Sequence, residues 1–187
     1  DQSPVKELIP YSHTFRGKTV YLRPLRPHDE KVIQDFFYSH RPQTIYQRYL
    51  TNVEAMPGEV AQARVAVDYN KDMAIAGFDS WEPYAQMVCL GRYIRGDDDT
   101  AEMGLVVKET CQKLGIGMFL CDLLIKASRR HGIRRLYAYV SHTNTPMLKI
   151  FERNGFLRKE SKKVDGYLVY LDITQEGERI FPLDWEK

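Results

Sequence analysis

The sequence lacks any arrangement of cysteines that would form disulfides or bind zinc. It has 3 cysteines, Cys89, Cys111 and Cys121, and no Cys-x-x-Cys spacing. A disulfide framework or a structural zinc site needs more cysteines at closer spacing, and the histidines are scattered without metal spacing. We therefore predict reduced, mostly buried thiols and no metal. No histidine-plus-acid pattern accompanies Cys111, which argues against a nucleophile there.

Long hydrophobic runs and a strong charge of one sign are also missing. No apolar stretch approaches the ~20 residues of a membrane-spanning helix, and no signal pattern precedes the first strand. The net charge of +2 indicates neither a nucleic-acid nor a membrane partner. We expect one cytoplasmic domain over residues 1–187, with 1–17 as an N-terminal extension. The first residue is Asp1, so fusion to further domains stays open, as does a homo-oligomer.

Hydrophobic patterning predicts strands over residues 18–25, 73–79, 85–95, 101–107, 134–140, 156–163 and 167–173. Helices are predicted to open at 27–29, from Pro42, from Pro57, after Gly117 and after Asn144. The strand at 134–140 is apolar on both faces, as in a covered parallel strand. Residues 101–140 therefore read as a strand, helix and strand crossover. The predicted fold class is α/β (α+β), with a mixed central sheet of about six to seven strands flanked by helices.

The most informative stretch is residues 101–117, where a strand leads into a glycine turn that opens a helix. Gly115 and Gly117 let the backbone approach a ligand, and the first helical turn points unpaired N–H groups outward. Such a turn can bind an anion. A dinucleotide fold would need glycine where Leu120 stands, and a nucleotide P-loop would need Gly-Lys-Ser/Thr. The alternative is a tight connection that binds nothing.

The spacing of Gln112, Gly115 and Gly117 resembles the pyrophosphate loop of GCN5-related N-acetyltransferases (GNATs), whose backbone amides hold the diphosphate of coenzyme A. Residues 21–29 resemble the first strand and turn of that family. A second match resembles the family's next motif, a helix ending in Asn-Gly-Phe, through Asn144, Met147, Leu148, Phe151, Glu152, Asn154, Gly155 and Phe156. Together these resemblances span residues 18–173 and imply the GNAT-like acyl-CoA N-acyltransferase fold.

The resemblance implies acetyl-CoA as co-substrate, with no metal. The implied cofactor-binding residues are Leu105, Val106, Val107, Gln112, Lys113, Leu114, Gly115, Ile116, Gly117, Met118, Asn144, Met147 and Phe151. The strand 105–107 would pair with the pantetheine arm, and an N–H near Val106 or Val107 would face the thioester oxygen. Family members often carry a basic residue at the position of Leu114, and Lys113 can supply that charge. Asn144 either binds the cofactor or caps its helix.

Glu102 is the only charged residue of the strand at 101–107, and strand alternation puts it on one face with Gly104 and Val106. It is either a solvated residue at the strand's mouth or a functional carboxylate. In relatives of the protein-lysine acetyltransferase type, an Ala-Glu pair opening this strand supplies the general base, which implies that role for Glu102. The tyrosine that many relatives use to protonate the departing thiolate is Phe151 here. Either the thiolate leaves unassisted, or Tyr139, Ser141 or His142 serves.

The resulting interpretation is an N-acetyltransferase that transfers the acetyl group of acetyl-CoA to a primary amine by direct attack in a ternary complex. The amine can be a protein lysine, a polyamine, an amino acid or an antibiotic. An acidic entrance formed by Asp97, Asp98, Asp99 and Glu102 would attract a cationic amine. Tyr46, Arg48 and Tyr49 lie in the region that shapes the acceptor cleft in relatives. The alternative is a catalytically silent acyl-CoA-binding sensor or regulatory module.

Overall fold

The computed structural model describes residues 9–50 and 53–173. Its helices are α1 (Glu30–Tyr38), α2 (Pro42–Tyr49), α3 (Gly58–Val65), α4 (Ile116–Arg130) and α5 (Thr145–Arg153). Its strands are β1 (Ser12–Phe15), β2 (Lys18–Pro24), β3 (Met73–Phe78), β4 (Met87–Arg95), β5 (Thr100–Val107), β6 (Arg135–Ser141), β7 (Leu157–Glu160) and β8 (Gly166–Asp172). The remaining parts of the predicted domain, including 1–8 of the predicted extension, lie outside the described residues.

The described strands form one mixed sheet in the order β1-β2-β3-β4-β5-β6-β8-β7. Neighbouring strands are antiparallel except β5 and β6, which are parallel and connected through α4. The predicted α/β fold class and crossover unit are confirmed. The eighth strand, β1, lies in the range predicted as an extension. It is short and exposed except at Phe15, so its sequence has no alternating apolar pattern.

Helices cover both faces of the sheet. Helix α4 packs on one face through its buried apolar stripe of Ile116, Leu120, Leu123 and Ala127, which follows helical spacing. Helices α1, α2 and α3 cover the other face with a separate apolar cluster that includes Phe36. Alternate residues of β5 therefore face different layers, which places Glu102, Gly104 and Val106 on the side of α1–α3.

The two parallel strands separate after a short contact. Their pairing runs from Thr100 with Arg135 to Glu102 with Tyr137, and β5 continues for five more residues paired only with β4 among the described strands. Beyond Glu102 a gap therefore opens between β5 and β6.

The backbone groups that border this gap follow from the pairing of β4 with β5. Lys108 donates its N–H to the Val88 carbonyl at 2.8 Å, and Gly96 donates to Thr100 at 2.7 Å. Because hydrogen-bonded pairs alternate along an antiparallel ladder, the backbone groups of even-numbered β5 residues face β4. Those of Leu105 and Val107 face the gap, which gives β5 an edge open to strand-like pairing.

Candidate active site

The bend between β5 and α4 presents a run of free backbone donors. Lys113 (φ 64°) and Gly115 (φ 92°) both adopt left-handed conformations, and α4 begins at Ile116. The six N–H groups from Lys113 to Met118 donate no hydrogen bond to any of the described residues. Successive N–H groups in such a bend, combined with the positive end of a 15-residue helix, form an anion site.

The two glycines of the bend have different physical roles. A Cβ added at Gly115 would have no neighbour within 4 Å, so the reason for glycine at this position is the positive φ and not a lack of space. At Gly117 an added Cβ would lie 2.6 Å from Cδ1 of Ile150, so this glycine allows α4 to pack closely against α5. Gly117 therefore has a packing reason to be glycine, whatever the bend binds.

Side chains tie the bend to its surroundings. Gln112 donates from Nε2 to the Val107 carbonyl at 3.0 Å, which connects the bend to the end of β5. Arg16, from the turn between β1 and β2, lies 3.5 Å from the Lys113 carbonyl. The sequence alone does not single out Arg16, because nothing in the local pattern connects residue 16 with residue 113. Arg16 and Lys113 give the bend two cations.

Of the two N–H groups considered for the thioester oxygen, that of Val107 faces the gap. The N–H of Val106 faces β4 instead, because Val106 pairs with Leu90 at a hydrogen-bonded position of the ladder. Leu105 offers the next N–H along the open edge. The side chain of Leu105 belongs to the buried cluster on the α4 face. The backbone N–H of Leu105 therefore faces the gap between β5 and β6, while its side chain packs in the core.

Glu102 stands where β5 and β6 separate, on the face covered by α1–α3. It is exposed and lines a cleft of about 430 Å³. No hydrogen bond or ion pair engages its carboxylate among the residues that the structure describes. The predicted alternation of Glu102 with Gly104 holds, since both residues line this cleft. An exposed carboxylate beside the gap can act as a proton acceptor.

The cleft has more cations than carboxylates along its described lining, where Glu102 is the one residue of the predicted acidic entrance. Its described lining residues are Arg48, Tyr49, Leu50, Arg64, Arg92, Ile94, Glu102, Met103, Gly104, Tyr139, Lys163 and Val164. Residues 97–99 are not among them. Asp99 instead pairs with Arg95 at 2.5 Å, and its carbonyl accepts the N–H of Arg134 at 2.7 Å. The acidic turn thus has a structural role at the start of β5.

The second motif contributes packing and a helix cap. Asn144 is buried, and its side chain accepts the N–H of Met147 at 3.4 Å, which is the capping interaction considered for it. Met147 is partly buried against the core. Phe151 is 2% exposed, and its ring centroid lies 4.9 Å from that of Phe156. Asn154 donates to the Ile150 carbonyl at 2.8 Å.

Among the three candidate proton donors, Tyr139 lines the cleft. His142 follows the last residue of β6 and does not line the cleft; its Nε2 lies 2.8 Å from Oε2 of Glu160. Ser141 lies 3.1 Å from the Thr143 hydroxyl. Three residues were predicted to lie in the region that shapes an acceptor cleft. Arg48 and Tyr49 line the cleft that contains Glu102, and Tyr46 does not.

The three cysteines are buried free thiols, as predicted. Within the described residues, no group of three or more histidine, cysteine, aspartate or glutamate side chains could hold a metal ion. No helix in the same ranges has the length and hydropathy to cross a membrane.

Comparison with known proteins gives consistent matches. A family model described as Acetyltransferase (GNAT) family matches residues 32–156. An acetyltransferase of Pseudomonas aeruginosa is 25% identical over 142 residues, which are 75% of this chain and 76% of that protein.

Two solved structures share the fold. The GNAT domain of S. lividans PAT superposes with a TM-score of 0.74 at 20% identity, covering 88% of this chain and 96% of that one. The yncA protein of Salmonella typhimurium, determined with its cofactor acetyl-CoA, gives a TM-score of 0.68 at 16% identity, with coverage of 85% and 96%. At these identities the structures establish the common fold.

Proposed function

The chain belongs to the GNAT acetyltransferase family, and on that basis we propose that it transfers the acetyl group of acetyl-CoA to a primary amine with Glu102 as general base. The family match supports acyl transfer in general. We propose the identity of the acyl donor, the class of the amine acceptor and the role of each residue.

The observation that carries the proposal is the run of six N–H groups from Lys113 to Met118, which have no acceptor among the described residues. A diphosphate would accept from these groups, and the α4 dipole adds ~0.3–1 kcal/mol per charge. The open edge at Leu105 and Val107 would pair with the pantetheine arm as an added strand does. The solved relative that contains acetyl-CoA supports this donor.

The reaction needs a base because a primary amine of pKa ~10.4 is protonated at pH 7, a penalty of ~4–5 kcal/mol before attack. Glu102 takes this proton, directly or through one water. The amine lone pair then forms the C–N bond to the thioester carbonyl carbon, while the C–S bond breaks and its electron pair leaves with sulfur. The surplus proton on the new amide nitrogen passes to the departing thiolate, directly or through water. A thiol pKa of about 8.5 permits departure without an acid. Tyr139 is the candidate donor that lines the cleft.

One observation favours a second candidate, an acyl-CoA sensor without activity. Phe151 is buried in the core and has no hydroxyl, so the thiolate lacks the proton donor that many relatives provide. Release of free thiol from acetyl-CoA with a panel of amines separates the two functions. Steady thiol release that depends on an amine supports the enzyme.

The role of Glu102 is tested with Glu102→Gln, and the exposed Glu82→Gln in the β3–β4 hairpin is the matched control. We expect the Glu102 variant to lose about 10²- to 10⁴-fold in turnover, while its affinity for coenzyme A is unchanged, because the carboxylate acts on the amine. Calorimetry measures the affinity and thiol release measures the turnover. If affinity collapses while bound substrate still turns over, Glu102 is not the base.

A further inference from the structure

Three arginines from separate elements converge on the cleft that contains Glu102. Arg48 comes from α2, Arg64 from α3 and Arg92 from β4, and all three line the cleft. We infer that the acceptor amine is a small molecule that carries its own anionic group, of the carboxylate class found in amino acids, and that these arginines bind that group. This inference rests on the proposed function and specifies its substrate class.

The arginines are held at the cleft by local contacts. The Tyr49 ring contacts two of them, with its centroid 5.1 Å from Cζ of Arg48 and 4.9 Å from Cζ of Arg64. Arg92 donates from Nη2 to the Arg64 carbonyl at 3.1 Å. Cation–π contacts and this hydrogen bond orient the guanidinium groups before any ligand arrives. The three positive groups are therefore preorganised.

Gly104 permits the close approach of Arg48. An added Cβ at Gly104 would lie 2.2 Å from Nη2 of Arg48, so the guanidinium lies directly against the surface of β5. Gly104 is two residues from Glu102 on the same face, and its partner across the ladder is Arg92. The Cα atoms of Gly104 and Glu102 are about 7 Å apart along β5, so the guanidinium groups lie close to the carboxylate proposed as the base. An amine directed at Glu102 could reach the arginines with an anionic group on the same small molecule.

Several donors of this cluster have no acceptor. Arg92 is 9% exposed, and its Nε and Nη1, with Nε of Arg64, find no hydrogen-bond partner in the described parts of the chain. Among the described lining residues, Glu102 is the one carboxylate, against the three arginines and Lys163. Arg92 is buried, and no carboxylate pairs with it among the described residues, which is costly; an anion that accepts hydrogen bonds from its free donors would be bound favourably.

Arg92 remains charged at neutral pH. Burial, together with the nearby charges of Arg48 and Arg64, lowers the pKa of Arg92 to about 10. The lowered pKa means that the charged form of Arg92 is less favourable in the folded protein than in water. A bound anion would offset part of this free energy. A role limited to holding α3 on the sheet uses one donor of Arg92 and leaves the others unexplained.

The test compares amines that differ only in the anionic group. Thiol release from acetyl-CoA is measured with 4-aminobutanoate and 4-aminobutanamide, with glutamate and glutaminamide, with cadaverine, and with a lysine-containing peptide. We expect the anionic member of each pair to have about 10- to 100-fold higher kcat/KM, as charge-assisted hydrogen bonds predict. Arg92→Gln should remove this preference, and Arg48→Gln should reduce it if Arg92→Gln fails to fold. The exposed Arg129→Gln at the end of α4 is the matched control.

The outcomes separate this inference from the proposed function. If amines are acetylated but the amides, cadaverine or the peptide are preferred, the inference is overturned and the acetyltransferase stands. If no amine is acetylated, yet 4-aminobutanoate or glutamate raises the melting temperature and Arg92→Gln abolishes the shift, the anion site stands and the activity does not. If the anionic amines neither react nor bind, the inference is overturned.

Discussion

Glu109, which follows β5, caps helix α2 from a distant part of the chain. Its Oε1 accepts the Arg41 N–H at 2.8 Å and the Thr44 hydroxyl at 2.6 Å. Replacement by alanine removes both bonds at the N-terminus of α2, which should cost about 1–2 kcal/mol. For a domain of this size the expected fall in melting temperature is about 2–8 °C. Because α2 carries Arg48 and Tyr49, the KM for the acceptor should also rise.

The pH dependence of this effect has a defined sign. Burial raises the pKa of Glu109, but the hydrogen bonds from the Thr44 hydroxyl and the Arg41 N–H outweigh it and lower the pKa to about 2, from an ordinary value of 4.5. The folded pKa is therefore below the unfolded one, so the stabilisation is fully present above 4.5 and is lost as the pH falls toward 2. His40 lies beside this carboxylate, with Nδ1 3.6 Å from Oε2, and burial lowers the pKa of its imidazole.

Urea unfolding at about pH 7, 5 and 3.5 measures the free energy of unfolding of the wild type, of Glu109→Ala and of the exposed control Glu82→Ala. The deficit of Glu109→Ala should be equal at the two higher pH values and smaller at the lowest. A deficit absent at pH 7, or one that grows as the solution is acidified, refutes this account of Glu109.

Two glycine substitutions test the bend and the cleft. Gly115→Ala places a Cβ at φ 92° with open space around it, so backbone strain should lower the free energy of unfolding by about 1–2 kcal/mol and calorimetry should detect weaker coenzyme A binding. Gly132→Ala, at φ 69° and equally open at the far end of α4, should show the strain without the loss of affinity; equal affinities for both variants would contradict the proposed diphosphate site. Gly104→Ala should displace the guanidinium of Arg48 and raise the KM for anionic amines, with little change in thermal unfolding because the added Cβ meets the end of a long side chain and no backbone. Unchanged kinetics for Gly104→Ala would exclude Arg48 from acceptor binding.

The amino-acid sequence by itself determined the features that depend on short spacings. The apolar stripe of α4, the parallel crossover and the common face of Glu102 and Gly104 follow from helical and strand periodicity, and the structure has all of them. The glycine bend before α4 was also predictable from the sequence, because a turn with free N–H groups depends on only a few consecutive residues. Strand β1 had no such signal because it is short and exposed.

Only the tertiary structure decided the register and the charge of the cleft. The gap between β5 and β6 depends on where pairing ends, and the choice of Val107 over Val106 depends on the ladder, which no local pattern encodes. Arg64 and Arg92 come from elements far apart in sequence, and each alone reads as an ordinary surface residue. The acidic turn was misinterpreted because residues 97–99 do not line the cleft: Asp99 pairs with Arg95, and its carbonyl accepts the N–H of Arg134, which immediately precedes the distant strand β6. Periodicity fixes which face a residue occupies, whereas the packing of distant elements fixes which charges meet there.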